Sequence, residues 1–198
     1  MKKKNVVYCI LLTFLSLNVN AQENDKPLSR NRIGVYTSVF TGSDLSYLKT
    51  VDGGGTPDIQ GSVKIGLNYI HGINKWLDFE TGLELSSYEP GMIGDRGLPT
   101  LNIFSIPLTV KANFLKYFFV NGGALVDLDV SRKKGFAIDK QNGIGAVLGL
   151  GFEYDFKNGI SIYANPYVKA YSLLYLTLES IHQRVLEAGV RIGATYRF

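Results

Sequence analysis

Cysteine is nearly absent from this sequence of 198 residues, and the single one, Cys9, lies close to the amino terminus. It belongs to an apolar run, 6–17, that follows three lysines and leads to Val19-Asn20-Ala21, the pattern of a secretory signal peptide. We expect residues 1–21 to be removed, leaving a short periplasmic segment at 22–31 and a folded domain at 32–198. The remaining chain would contain no cysteine, which excludes disulfides as a source of its stability.

Long apolar runs and an excess of charge are also missing beyond residue 21. No later stretch has 18 consecutive apolar residues, so no later segment is predicted to span a bilayer as a helix. Without Lys2, Lys3 and Lys4 the chain has 18 basic and 17 acidic residues. This balance gives no reason to expect nucleic acid as a partner. Glycine is spread through the chain and marks no linker, so one domain is predicted.

Alternation of apolar and polar residues is what the rest of the sequence does contain. In residues 62–71, for example, Val63, Ile65 and Leu67 alternate with polar residues or glycine, which is the period of a half-buried strand. Eight segments of about 9 to 15 residues have this pattern. The predicted strands are 32–41, 62–71, 76–88, 102–114, 117–130, 143–156, 160–174 and 184–198.

The connections between these strands alternate strictly between short and long. Short connections fall at 71–75, 115–116 and 157–159, and long ones at 42–61, 89–101, 131–142 and 175–183. An antiparallel meander with this pattern has all its short turns at one end and all its long loops at the other. The sequence therefore predicts an all-β, eight-stranded, up-and-down transmembrane barrel with periplasmic turns and extracellular loops.

The polar faces of the strands carry charges of both signs, which a narrow lumen could pair with one another. A soluble barrel has the same alternation with its apolar face inside, so the period alone leaves a soluble periplasmic ligand-binding barrel open. Charges of both signs on one face favour the membrane alternative. The predicted lumen charge network comprises Lys64, Asp78, Glu80, Glu84, Lys111, Asp127, Asp129, Glu153, Asp155, Lys169, Glu187, Arg191 and Arg197.

Large aromatic residues of the apolar faces gather beside the short turns. Such a ring is typical of a membrane interface, where amphipathic rings prefer to lie. The predicted girdle consists of Tyr69, Trp76, Phe79, Phe114, Phe118, Tyr154, Phe156, Tyr196 and Phe198. It favours a location in the cell outer membrane, with lipid and lipopolysaccharide as surroundings.

The last predicted strand ends on an aromatic residue and has a regular apolar face. That face is made of Val190, Ile192, Ala194, Tyr196 and Phe198. The terminal aromatic resembles the recognition signal of the outer-membrane assembly machinery, which we expect as a partner during insertion. We also expect β-bulges at Pro107 and Pro166, because proline cannot donate a hydrogen bond to a ladder.

Three stretches together resemble a known family. They are "NVNAQ" at 18–22, "IFSIPLTVKANF" followed by "YFFVNGGALVDL" at 103–128, and "GVRIGATYRF" at 189–198. They look like the bacteroidete outer-membrane β-barrel family that includes PorT-like proteins, and the likeness covers nearly all of 22–198. The resemblance implies a small barrel in the outer membrane, but its members share no single activity.

The sequence gives little support for catalysis or for a cofactor. Glu179, Ser180 and His182 lie close together in the last long loop, yet residues two apart on one strand rarely form a Ser/His pair. An outer-membrane lipid-modifying enzyme is therefore a minor alternative, and no cofactor or metal is expected. Eight strands enclose an interior that side chains fill, so we predict no diffusion channel.

What is left for function is the surface of the four long loops, one of which is basic through Arg132, Lys133, Lys134 and Lys140. We predict a non-enzymatic structural or binding role in the envelope, with a protein partner or ligand at the loops. An accessory part in an outer-membrane secretion or transport complex is the alternative.

Overall fold

A computed structural model describes residues 31–47, 58–91, 100–131, 141–176 and 183–198. The strands follow one another around a closed antiparallel barrel in which the last strand pairs with the first. This confirms the predicted fold class. The strands are β1 (Asn31–Tyr47), β2 (Asp58–Gly72), β3 (Leu77–Gly91), β4 (Leu101–Phe114), β5 (Phe118–Asp129), β6 (Gly143–Asp155), β7 (Ile160–Tyr175) and β8 (Gln183–Arg197).

The described ranges leave some sequence predictions aside. The predicted signal peptide at 1–21 and all but Asn31 of the segment at 22–31 lie outside them. Among the residues that are described, no helix is both long and apolar enough to pass through a membrane.

Side chains of the strands alternate between the outer wall and the interior because successive residues of a strand point to opposite faces. On β2, Val63 is 73% and Ile65 is 63% exposed, whereas Lys64 between them is 1% exposed. The other strands repeat the alternation, with apolar residues outside and with polar residues, aromatic rings and a few aliphatic side chains inside. The barrel is therefore inverted relative to a soluble barrel, whose apolar face would line the interior.

The prolines interrupt the ladders but do not shift their register. At Pro107 the β3–β4 pairing is interrupted between Thr81 and Glu84 but resumes in the same register, so the ladder loses bonds without a bulge. Pro166 likewise interrupts the β6–β7 pairing and shifts no register there. The expected bulges at these two residues were wrong, because a gap in the ladder accommodates the missing N–H without an extra residue.

Three register shifts occur elsewhere: one lies in the β2–β3 pairing, and the other two lie where a non-glycine residue adopts positive φ. Phe40 has φ 50° within the β1–β8 shift between Val39 and Gly42, and Ser172 has φ 46° opposite the β6–β7 shift. An inserted residue of this kind bends its strand and increases the local twist. The β1 bulge disturbs the alternation of the sequence, so the predicted strand ends six residues before the observed end at Tyr47.

Beyond Thr37, β1 and β2 are joined by side chains and not by a backbone ladder. Their pairing covers only Asn31–Thr37, whereas β1 pairs with β8 from Arg32 to Tyr47. The Thr37 hydroxyl donates to the Lys64 carbonyl at 2.7 Å. Farther along, the Thr41 and Ser62 hydroxyls lie 2.5 Å apart. The half of this seam toward the long connections is therefore held by hydroxyl groups.

Aromatic rings in the lumen lie over glycines of the neighbouring strand. Phe119 pairs directly with Gly151, and a β-carbon on that glycine would meet the ring at 2.2 Å. Two further pairs repeat the arrangement, Tyr36 with Gly66 and Tyr163 with Gly193. The absence of a side chain at these glycines gives each ring the space it occupies.

Candidate functional site

The interior of the barrel holds a network of buried charged residues. Nearest the short turns, Arg32 joins three strands, because its guanidinium contacts Asp78 of β3 at 2.6 Å and also pairs with Glu153 of β6. Lys111 of β4 pairs with the same Glu153 carboxylate. The Asn113 amide donates to Asp78 at 2.8 Å. At the rim, Arg197 lies 3.5 Å from Asp155.

The middle of the lumen is built around Arg191. Its guanidinium pairs with Glu80 at 3.2 Å, and its central carbon lies 4.9 Å from the ring centre of Tyr36 and 5.7 Å from that of Tyr163. The Asn68 amide donates to Glu80 at 3.1 Å. The arginine is thus held by a carboxylate along one direction and by two ring faces along others, a combination that suits its planar cation.

Toward the long connections two carboxylates each collect several donors. Glu84 pairs with Lys169 at 2.5 Å and accepts the Tyr36 hydroxyl at 2.9 Å. Glu187 pairs with Lys64 and accepts the hydroxyl of Tyr167 at 2.5 Å, and the Tyr88 hydroxyl also donates to it. Both carboxylates are almost fully buried. Charges removed from water are stable only when paired and hydrogen-bonded, and these are.

Beyond Glu84 and Glu187, in the direction of the long connections, the residues that fill the lumen change from charged to largely apolar. Tyr88, Leu101, Ile103, Tyr171 and Val185 form a buried cluster there. Asp127 lies at the same end and accepts the Ser105 hydroxyl at 2.7 Å and the Ser172 amide at 3.3 Å. Asp129, half-buried near the end of β5, accepts the Ser131 amide at 2.9 Å.

The chemistry available inside this barrel is limited because its basic side chains are already paired with carboxylates. The buried Arg32, Lys64, Lys111 and Lys169 and the half-buried Arg191 are each paired with a carboxylate. Within the described parts of the chain, no group of three or more His, Cys, Asp or Glu side chains could hold a metal ion. The interior is a stabilised network of charges and rings.

The nine residues of the predicted girdle lie on the outer wall beside the short turns. Tyr154 and Phe156 meet edge to face with ring centres 5.0 Å apart, and Phe114 and Phe118 stack at 6.2 Å. Trp76, at 52% exposed, and Tyr69 belong to the neighbouring β2–β3 hairpin. Phe79 is half-buried, and Tyr196 and Phe198 are exposed on or next to β8.

The apolar face of the last strand lies against β1. Val190, Ile192, Ala194 and Tyr196 face outward and pair with Val39, Thr37, Val35 and Ile33. The Phe198 amide donates to the Asn31 carbonyl at 3.2 Å. The five residues predicted as an assembly signal therefore form the outer surface of the strand pair that closes the barrel.

The predicted sets omit several contributors, of which Arg32 inside the barrel and Tyr117 on the outer wall are two. The strand pattern places Arg32 on the polar face, because it lies one residue before Ile33 and two before Gly34. Tyr117 was assigned to no group, yet its ring lies 5.9 Å from that of Tyr154 and 5.7 Å from that of Phe152. Its position in a short turn between Phe114 and Phe118 is the sequence signal that places it in the girdle.

Other predicted features fall on residues that are not described. Glu179, Ser180 and His182 of the enzyme alternative lie outside the described ranges, and so do the basic loop residues at 132–134 and 140.

Comparison with known proteins supports the fold. The chain is similar to the solid-state NMR structure of outer membrane protein AlkL in DMPC lipid bilayers, with TM-score 0.55, 13% identity, and 91% of this chain and 96% of that chain covered. Outer membrane protein OprG from Pseudomonas aeruginosa aligns with TM-score 0.48 and 15% identity over 85% of this chain and 96% of that one. No protein-family description matches the sequence, and no curated protein matches it. The chain has the fold of an outer-membrane β-barrel.

Proposed function

We propose that this chain is an integral outer-membrane protein whose barrel is a filled, non-conducting scaffold for its long loops, with a non-enzymatic structural or binding role in the envelope. The observation that carries the proposal is the lumen network, in which paired charges and buried rings occupy successive levels along the barrel axis. A barrel built in this way holds its ends in place and offers no continuous aqueous path.

The outer wall supports the membrane location. Val35, Ile65, Leu148 and Val168 are each more than half exposed, and they belong to a continuous apolar surface on all eight strands. Soluble monomers rarely expose apolar patches beyond a few hundred Å². In a bilayer this surface contacts lipid, and the closed ladder leaves few backbone groups without a hydrogen bond.

Two finer points belong to the same proposal. We propose that the chain belongs to the bacteroidete outer-membrane β-barrel family that includes PorT-like proteins, and the segments at 18–22, 103–128 and 189–198 support this. The outer face of β8, ending in Phe198, is the part that the assembly machinery reads. Phe198→Ala should then slow insertion into the outer membrane more than an equivalent change at Phe156, another exposed aromatic of the girdle, does.

Reconstitution tests the main proposal directly. The full chain, folded into phosphatidylcholine vesicles, should migrate faster on a gel before heating than after it, and should give no steady conductance in planar bilayers. A matched variant, Arg191→Ala with Glu80→Ala, removes a central pair and is expected to show small, flickering openings. Steady conductance of the unaltered protein would contradict the filled scaffold, and recovery as a soluble monomer would contradict the membrane location.

A further inference from the structure

Each of the three short turns presents one lysine next to a ring at or beside the aromatic girdle. The pairs are Lys75 with Trp76, Lys116 with Tyr117, and Lys157 with Phe156. All three lysines are exposed. The repetition on three separate hairpins places positive charge around the whole short-turn rim of the barrel.

No acidic residue of the turns compensates this charge. Residues 72–76, 115–117 and 156–159 contain no aspartate or glutamate. The acids nearest to Lys75 and Lys157 along the chain have partners of their own: Asp78 pairs with Arg32 inside the lumen, and Asp155 faces Arg197 at the rim. The three ammonium groups therefore face outward without a carboxylate from their own turns.

The turn that carries Lys75 is held in a defined geometry. The Asn74 side chain accepts the backbone amides of Trp76 at 2.9 Å and Leu77 at 2.8 Å. The Trp76 carbonyl accepts the Asn113 amide at 2.7 Å, which ties the turn to β4. In the next turn, the Lys116 ammonium lies 5.1 Å from the ring centre of Tyr117. The Lys75 turn therefore has a defined backbone geometry, and Lys116 lies beside its ring.

We propose that these three lysines form a recognition surface for anionic phospholipid headgroups in the leaflet on the short-turn side. Rings of a girdle lie at the boundary between acyl chains and headgroups, and a lysine beside them can extend its ammonium to the phosphates. Each basic residue near an anionic membrane surface raises the affinity for that surface by about fivefold. This inference rests on the proposed membrane location and adds a lipid preference to it.

Trp76 fluorescence reports on this part of the rim alone, because Trp76 is the only tryptophan of the sequence. The full chain is folded into vesicles of equal parts phosphatidylcholine and phosphatidylglycerol, with either lipid brominated so that it quenches tryptophan on contact. Brominated phosphatidylglycerol should quench Trp76 more strongly than brominated phosphatidylcholine does. The difference should shrink as salt is raised, because salt screens exposed charges.

Variants at Lys75 separate the charge from the fold. Lys75→Gln should lower the preference for phosphatidylglycerol about two- to fivefold, and Lys75→Arg should retain it, while quenching by brominated phosphatidylcholine stays unchanged in both. Equal quenching by the two lipids in the unaltered protein, or an unchanged preference in Lys75→Gln, would overturn the inference and leave the membrane location standing. Quenching by neither lipid would overturn the membrane location itself.

Discussion

Replacing Gly151 by alanine should destabilise the barrel, because the new methyl group would enter space that a ring already fills. The added β-carbon would lie 2.2 Å from Cζ of Phe119 and 2.6 Å from one of its Cε atoms, whereas carbon atoms pack at about 3.5–4.0 Å. The ring must therefore move by more than about 1 Å. It is 2% exposed, lies 6.4 Å from the Tyr163 ring, and has the Lys111 ammonium 4.2 Å from its centre.

Overfilling a well-packed interior of this kind costs about 1–3 kcal/mol in the free energy of unfolding. Gly122→Ala is the matched control, since its β-carbon would come no nearer than 3.3 Å to an atom, the end of the flexible Leu148 side chain on the outer wall. We expect that control to change the free energy of unfolding by less than about 0.5 kcal/mol.

The assay is urea unfolding of the vesicle-folded protein, followed by Trp76 fluorescence. With a urea slope of about 2 kcal/mol/M, Gly151→Ala should lower the unfolding midpoint by about 0.5–1.5 M. Adding Phe119→Leu to Gly151→Ala should restore part of the loss, because a smaller side chain leaves room for the methyl group. Equal midpoints for Gly151→Ala and Gly122→Ala would refute the reasoning.

Three further changes test other parts of the barrel by the same urea assay. Arg32→Met should lower the free energy of unfolding by about 3–5 kcal/mol, because it leaves the buried Asp78 carboxylate without a cation, whereas Glu153 keeps Lys111. Lys64→Met should cost a similar amount, and adding Glu187→Gln should cost less than the single change, since the uncompensated charge is then gone; an additive loss would count against a buried ion pair. Leu115 has φ 48°, so Leu115→Asn should be more stable than Leu115→Thr by about 1 kcal/mol, and the reverse order would exclude this turn geometry.

The architecture was predictable from the sequence because a strand has a period of two residues and the barrel repeats it eight times. The five predicted strands from 102–114 onward have both ends within one residue of the observed ones. The first strand was the least accurate, since the extra residue at Phe40 shifts the alternation and hides the continuation to Tyr47. A bulge at a phenylalanine has no sequence signal comparable to that of glycine or proline.

The pattern also determined which side chains turn inward, but it could not determine their partners. Glu153 of β6 meets Arg32 of β1 and Lys111 of β4 only because the closed barrel brings these strands around one lumen, although Arg32 and Glu153 are 121 residues apart along the chain. Aromatic residues on the inner face, such as Phe119, were obscured because their own neighbours are aromatic as well. Pairing across a lumen depends on the register of all the strands between the partners.

The seam between β1 and β2 has a consequence for how the barrel forms. Beyond Thr37, β1 has its ladder only with β8, whereas its seven residue pairs with β2 all lie between Asn31 and Thr37. The outer half of β1 therefore gains no backbone ladder from its neighbour in sequence, and β1 becomes fully ordered only when β8 arrives. Closure should then be the late, cooperative step of folding, limited by the search for a partner some 150 residues away.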